Sequence, residues 1–235
     1  MPIATGYLFF SYSNHFFYLL SSCIKETEPI HPDADIVFLV DTSVGVSSEQ
    51  FDLQKQFLRR MTRYFLISPL GPRAAFATYG SSAYTVIGFS GYSSDADFSL
   101  KINSARFLGG TRRIDKALDH AAKMFRDTGR VGLRIVILLT AGNYFTGPGA
   151  SSVSSAMMPL RNLDAHLYVI GIGSQFSPLM FKQMVREPKD IFQLPSFNEL
   201  RNWQSLIARQ LRSTSNACKY SFSLSNIDEM TFLVG

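Results

Sequence analysis

Residues 35–45, DIVFLVDTSVG, decide the fold of this chain. Five apolar residues, most of them β-branched, follow one another without alternation, which is typical of a strand buried on both faces. The strand ends in a polar Asp-x-Ser-x-Gly turn, and a helical pattern begins near Ser47. In open parallel α/β sheets, ligands bind beyond the carboxyl ends of the strands, so this turn is the first candidate site.

The polar turn carries a carboxylate and a hydroxyl two residues apart, on Asp41 and Ser43. Both groups are hard oxygen donors of the kind that Mg²⁺, Mn²⁺ or Ca²⁺ prefers. The alternative is a helix-capping turn that binds nothing, because short Asp/Ser motifs have a high false-positive rate.

Strand and helix patterns alternate along the chain, which predicts an α/β fold with a doubly wound, mainly parallel central sheet and helices on both faces. One antiparallel hairpin is expected where a Gly-Ser-Ser turn joins two strand patterns. The predicted strands are 36–40, 73–79, 83–89, 134–140, 167–170 and an edge strand at 191–194. The predicted helices are 48–65, 95–105, 114–125, 151–162, 179–185 and a last one ending near 211. Capping boxes at Ser47/Gln50 and Ser196/Glu199 mark two of the helix starts.

The composition is that of a globular protein with a full core. Of 235 residues, 46% are apolar and 17% charged, which argues against disorder. The net charge is +5, but the basic residues are scattered, with Arg112 and Arg113 in a loop. We expect ordinary solvated faces; the alternative is attraction to acidic glycans, phospholipid or nucleic acid. Since no nucleic-acid motif and no span-length apolar stretch occurs, neither a nucleic-acid partner nor a membrane span is predicted.

The sequence contains no convincing catalytic constellation. It has no phosphate-binding Gly-x4-Gly-Lys-Ser/Thr loop, and Gly171-Ile172-Gly173 lacks the third glycine of a dinucleotide site. His120 and His166 are far apart in sequence and have no nucleophile at a recognisable spacing. We therefore expect a protein that is not an enzyme.

Several motifs occur together in one order: the DxSxG turn, the YGSSAYTVIGF hairpin, GGT before a helix, the ILLTAG strand end, GIG, and IFQLPSFNEL. In this order and approximate spacing they resemble a von Willebrand factor type A domain over residues 33–213. The resemblance implies a Rossmann-like central sheet wrapped by helices, with a metal-ion-dependent adhesion site at the carboxyl edge in many members.

The resemblance assigns metal-ligand positions to Asp41, Ser43 and Thr111. Two positions depart from the family pattern, since Gly45 replaces the second serine and Ala141 replaces the third-loop aspartate. The site thereby loses one of its two carboxylates, and Mg²⁺ requires near-octahedral oxygen coordination. We therefore expect a degenerate site with weak or lost binding of Mg²⁺ or Mn²⁺.

The helix after the GGT turn also begins one residue later than in the commonest version of the motif. This could shift Thr111 slightly. Asn143, two residues past Ala141, has two interpretations: a turn residue, or a substitute ligand that acts through water.

The flanks carry the two cysteines. The resemblance implies that Cys23 and Cys218 meet in a disulfide, as in extracellular members; two unpaired cysteines in a cytosolic protein are the alternative. Residues 1–32 are predicted to be an N-terminal flank with a signal-like segment at 7–20, for which a mis-started or truncated gene model is the other explanation. Residues 214–235 are interpreted as a tail that begins a further domain.

Together these features predict a non-catalytic protein-binding or adhesion module of a secreted or extracellular matrix protein. Collagens or other matrix proteins are the expected partners, and the oligomeric state stays open. The alternative is an intracellular scaffold or assembly subunit of a multi-protein complex, because the signal-like segment is a poor one.

Overall fold

The computed structural model describes residues 30–215. Cys23 and Cys218, the signal-like segment and nearly all of the predicted C-terminal tail lie outside the described residues. The expectations made for them stay predictions.

Six strands and six α-helices alternate along the described chain. The strands are β1 (Asp35–Asp41), β2 (Arg73–Tyr79), β3 (Ala83–Ile87), β4 (Arg134–Thr140), β5 (His166–Ile172) and β6 (Ile191–Leu194). The α-helices are α1 (Ser48–Phe65), α2 (Asp95–Lys101), α3 (Ile114–Thr128), α4 (Val153–Arg161), α5 (Pro178–Phe181) and α6 (Leu200–Ser215). Short 3₁₀ turns cover Ile102–Ser104, Pro188–Asp190 and Phe197–Glu199. In the range 30–215, no helix is both long and apolar enough to cross a bilayer.

The strands form one sheet in the order β3-β2-β1-β4-β5-β6. All neighbours are parallel except the β2–β3 hairpin, which is antiparallel and carries a register shift between Phe76 and Ala77. The predicted mainly parallel α/β fold is therefore confirmed. Strand β1 lies between β2 and β4, so the turn that follows it is at the centre of the sheet's carboxyl edge.

All seven residues of β1 are buried, and alternate side chains face opposite layers. Phe38 and its neighbours two positions away pack in a core with α1 and α6, whereas Val37 and Leu39 pack in a second core with α3 and α4. A strand covered on both faces needs an apolar residue at every position, which is why its sequence does not alternate.

The two predicted capping boxes have different outcomes. At Ser47, the hydroxyl accepts from the Gln50 backbone N–H at 3.2 Å, and the Gln50 side chain accepts from the Ser47 N–H at 2.9 Å. The box predicted at Ser196 and Glu199 is wrong, because a 3₁₀ turn precedes α6 there and Ser196 makes no side-chain cap. Instead, Glu199 accepts a hydrogen bond from the Asn202 side chain.

Candidate functional site

The candidate site lies where β2, β1 and β4 end together. The first loop is tied to β2, since both the backbone N–H and the hydroxyl of Thr42 donate to the carbonyl of Tyr79, at 2.8 and 2.9 Å. Tyr79 is fully buried, and its hydroxyl donates to the Leu139 carbonyl of β4 at 2.8 Å. Burial, with the nearby Asp41 carboxylate, raises the pKa of Tyr79 well above its ordinary value. The phenol therefore stays protonated and fastens the three strand ends together.

Asp41 is the centre of this edge and is fully buried. Its Oδ1 accepts from the Ser43 backbone N–H at 2.8 Å, and its Oδ2 accepts from the Ala141 N–H at 2.9 Å. Oδ2 also accepts from Nε of Arg112 at 2.7 Å, which makes an ion pair. The Asp41 carbonyl accepts from the Gln54 side chain at 2.9 Å. Both carboxylate oxygens are thus already engaged by donors within the chain.

The guanidinium of Arg112 fills the space between the first and third loops. Its side chain is only 18% exposed. A β carbon added to Gly45 would overlap Nη2 of Arg112, with Cζ 3.5 Å away, and one added to Gly142 would lie 2.5 Å from Nη1. The absence of a side chain at both glycines therefore leaves the room that this arginine occupies.

Two consecutive glycines bring the second loop to this position. Gly109 and Gly110 have φ values of 70° and 86°, in the left-handed region that side chains disfavour. The Gly109 N–H donates to the Thr42 carbonyl at 2.8 Å, and the Gly110 carbonyl accepts from the Val44 N–H at 2.9 Å. The predicted glycine turn therefore binds the first loop directly and sets the position from which Arg112 reaches Asp41.

The three predicted metal-ligand residues differ in their surroundings. Asp41 and Ser43 share one buried turn, whereas Thr111 is exposed and its backbone N–H donates to the Ser81 hydroxyl at 2.9 Å. No hydrogen bond in the described part of the chain joins the Thr111 side chain to Asp41. The Ser43 hydroxyl is buried and has no hydrogen-bond partner among residues 30–215. The side-chain oxygen of Gln54, whose amide nitrogen bonds the Asp41 carbonyl, is a second buried atom without such a partner in this range.

As they stand, these residues do not fit a divalent cation. They supply a single carboxylate, its oxygens already accept three hydrogen bonds, and a guanidinium lies beside it. Nowhere in the described range do three or more His, Cys, Asp or Glu side chains form a group that could hold a metal. A hydroxyl such as that of Ser43 is a weak ligand without further anionic oxygens around it.

A second ion pair lies next to the site. Arg113 donates through Nε and Nη2 to the two carboxylate oxygens of Asp115, at 2.8 and 2.6 Å. Asp115 also accepts from the Ser151 N–H at 3.2 Å, while Arg113 Nη2 donates to the Gly149 carbonyl at 2.7 Å. Burial by itself would raise the pKa of Asp115, but the hydrogen bonds from Arg113 and from backbone N–H groups outweigh it and lower that pKa. The pair fastens the start of α3 to the loop before α4.

Sequence reasoning missed the role of Arg112. The solvated face expected for Arg112 and Arg113 is wrong, because each arginine has a buried aspartate as its partner. A signal was nevertheless present in the sequence. Relative to the family pattern, the serine at position 45 and the aspartate at position 141 are both missing, and an arginine follows the GGT turn. The side chain of Asn143 links two loops, because its Oδ1 accepts from the Ser177 N–H at 2.7 Å.

Comparison with known proteins agrees with this architecture. A family model described as the von Willebrand factor type A domain matches residues 35–206. The collagen alpha-4(VI) chain of Mus musculus is 26% identical over 79% of this chain, and the collagen alpha-1(XXI) chain of Homo sapiens is 25% identical over 67%. The von Willebrand factor A domain-containing protein 2 of Homo sapiens is 26% identical over 80%. The matches cover 8%, 16% and 25% of those relatives, so this chain corresponds to a small part of each.

Solved structures of proximal thread matrix protein 1 from the mussel byssus share the fold. One of them has a TM-score of 0.68 at 23% identity and covers 77% of this chain and 47% of the mussel protein. Another, with a zinc-occupied MIDAS motif, has a TM-score of 0.69 at 24% identity, with coverages of 77% and 46%. At this identity the likeness shows the fold alone.

Proposed function

The chain belongs to the von Willebrand factor type A domain family, and from this we propose that it is a non-catalytic protein-binding module of a secreted or extracellular matrix protein. The matrix assignment is supported by relatives that include collagen chains. At the site, the Asp41–Arg112 ion pair carries the proposal. The arginine supplies the positive charge that a metal would otherwise place beside the Asp41 carboxylate.

Metal-dependent ligand binding is weak or lost in this proposal. One solved structure of the mussel protein has a zinc-occupied MIDAS motif, and the family resemblance implies that such a motif lies at the carboxyl edge of the sheet. Here the corresponding edge presents one carboxylate already neutralised by Arg112, so a metal has little negative charge to bind. Recognition then depends on the surface around the site and not on a metal that bridges to a partner's carboxylate.

The surface beside the site supports protein binding. Val44, in the first loop, is 80% exposed, and Phe107 and Leu108, in the second loop, are each more than 40% exposed. The first and second loops are joined by the Val44–Gly110 hydrogen bond. Contiguous exposed apolar patches mark protein-interaction sites, and this hydrogen bond brings the exposed apolar side chains onto neighbouring loops. We propose that a matrix protein contacts this surface.

The absence of catalysis is also part of the proposal. His120 forms a hydrogen bond with the Thr85 hydroxyl at 2.8 Å, but among residues 30–215 no group orients its other ring nitrogen as a catalytic base requires. His166 is buried, bonded to Asp190 at 2.8 Å and stacked on Tyr168, which suits a structural role.

Binding of the full chain to immobilised collagens and other matrix proteins tests the proposal. Saturable binding that is equal in Mn²⁺ and in a chelator is expected. Val44→Ser and Leu108→Ser should weaken it, whereas Leu70→Ser is the control. Leu70 is 98% exposed but lies between α1 and β2, at the strands' amino ends. Binding to none of these proteins would contradict the matrix function, and binding only in Mn²⁺ would contradict the metal independence.

Localisation separates this proposal from the intracellular scaffold. A tagged full chain recovered from the medium or matrix would support a secreted module. Recovery only from the cytosol, within a multi-subunit complex, would support the scaffold instead.

A further inference from the structure

The residues around Arg112 contact its guanidinium or leave the space that it occupies. The guanidinium contacts a carboxylate that is fully buried, and its own side chain is 18% exposed. Gly45 and Gly142 each lack the β carbon that would overlap a terminal nitrogen of Arg112. Position 141 is an alanine with a small side chain. Its backbone N–H and Nε of Arg112 both donate to Oδ2 of Asp41. An incidental surface ion pair would not require such room on two loops.

The charges of Asp41 and Arg112 balance without an added ion. Asp41 contributes one negative charge and Arg112 one positive charge, so the pair is neutral. Burying a carboxylate alone costs several kcal/mol by desolvation, and a partner cation offsets that cost. A guanidinium donates hydrogen bonds in a fixed fork and stays charged at all ordinary pH values, so it supplies the cation permanently.

We propose that the guanidinium of Arg112 is a built-in cation, which takes the place of the divalent metal at this edge of the sheet. Gly45 and Gly142 provide its space, and Asp41 fixes it through Nε. The inference rests on the proposed metal independence and names its cause. Its test measures stability in the absence of any partner. The built-in cation can therefore be refuted while matrix binding is observed, and matrix binding can be refuted while the built-in cation is supported.

A double-mutant cycle on the full chain tests the geometry. Outside the adjoining residues, the three atoms nearest to a β carbon at position 45 all belong to Arg112. Gly45→Ala should therefore lower the melting temperature in the wild type by displacing the guanidinium from Asp41. In an Arg112→Ala background the same change should have almost no effect. Gly88→Ala is the matched control, since nothing lies within 4 Å of its added β carbon, and it should be neutral in both backgrounds.

A gain of metal binding tests the same claim in the opposite direction and does not depend on Arg112→Ala being stable alone. The triple variant Gly45→Ser/Arg112→Ala/Ala141→Asp restores the missing oxygen ligands and removes the guanidinium. With Mn²⁺ at ten times its dissociation constant, its melting temperature should rise by about 3–6 °C. The double variant Gly45→Ser/Ala141→Asp, which keeps Arg112, should respond less.

Two results would overturn the proposal. One is an equal cost of Gly45→Ala with and without Arg112, since the two positions would then be independent. The other is an equal metal response in the double and triple variants, because Arg112 would then not exclude the metal. Coupling in the cycle together with a stronger response in the triple variant would support it.

Discussion

Nε of Arg112 lies 2.7 Å from Oδ2 of Asp41, although the two residues are 71 positions apart in the sequence. This contact joins the loop before α3 to the end of the central strand. It also decides how the carboxyl edge of the sheet is charged, because the carboxylate has no other cationic partner among the described residues.

Removing Arg112 should destabilise the fold. Loss of one partner from a buried ion pair costs about 3–5 kcal/mol. We expect Arg112→Ala to lower the free energy of unfolding by about 3 kcal/mol, the lower end of that range, since Asp41 keeps its hydrogen bonds from the backbone N–H groups of Ser43 and Ala141. Urea unfolding at neutral pH measures the change.

Arg106→Ala is the matched control for this measurement, because Arg106 belongs to the same loop but is exposed. Surface substitutions of this kind stay within about 0.5 kcal/mol. Equal effects of the two alanine variants would mean that the Asp41 pair does not stabilise the native state.

Asp115 should make stability depend on acidic pH. Its pKa is lowered in the folded protein, so its contribution is present above the unfolded pKa of about 3.9 and is lost as the pH falls through the folded value. Asp115→Asn should therefore be less stable than the wild type at neutral pH, with a difference that shrinks as the pH falls below about 4. Asp119→Asn, an exposed change on the same helix, should have only a small effect at neutral pH. A pH-independent cost for Asp115→Asn would contradict the ion-pair explanation.

The helix caps offer a paired comparison of two serines. Ser47 caps α1 through its hydroxyl, whereas the Ser196 side chain makes no capping hydrogen bond. Ser47→Ala should cost about 1 kcal/mol, and Ser196→Ala should cost much less. Thermal unfolding of the two variants measures the difference. Similar losses of stability in the two variants would mean that the capping hydrogen bond of Ser47 does not stabilise α1.

The disulfide between Cys23 and Cys218 stays a prediction for residues outside the described range. Mass spectrometry of the unreduced full chain should find one peptide pair linked by these cysteines. Reduction should lower the melting temperature, and the Cys23→Ser/Cys218→Ser variant should not respond to reductant. Closing a loop of this length stabilises by about 5 kcal/mol in the chain-entropy model. Quantitative alkylation of both thiols in the secreted protein would refute the link.

The fold could be predicted because its main signals are local. The unbroken apolar run of β1 indicates a strand buried on both faces, and the structure buries all seven of its residues. Helix α1 begins and ends where its capping box and its periodic apolar residues indicate. The start of α6 is harder to predict from the sequence. The same Ser-x-x-Glu pattern can begin a 3₁₀ turn or an α-helix, and here it begins a 3₁₀ turn.

The site could be predicted only in part. Asp41 and Ser43 were placed correctly in one turn after β1, since that turn follows from the strand itself. The role of Arg112 depends on two left-handed glycines in its own loop and on space left by two glycines in other loops. Such contacts join segments far apart in the chain, so no local pattern around Arg112 indicates them.

The most direct test of the central claim is the melting temperature of the wild-type full chain, titrated with Mg²⁺, Mn²⁺ and Zn²⁺ to millimolar concentration against a chelator. A ligand that binds only the native state stabilises it by RT ln(1 + [L]/Kd). With Arg112 as the resident cation, the melting temperature should stay constant across each titration. A saturable rise that disappears in Asp41→Ala would contradict the account, because it would mean that a metal binds at this carboxylate.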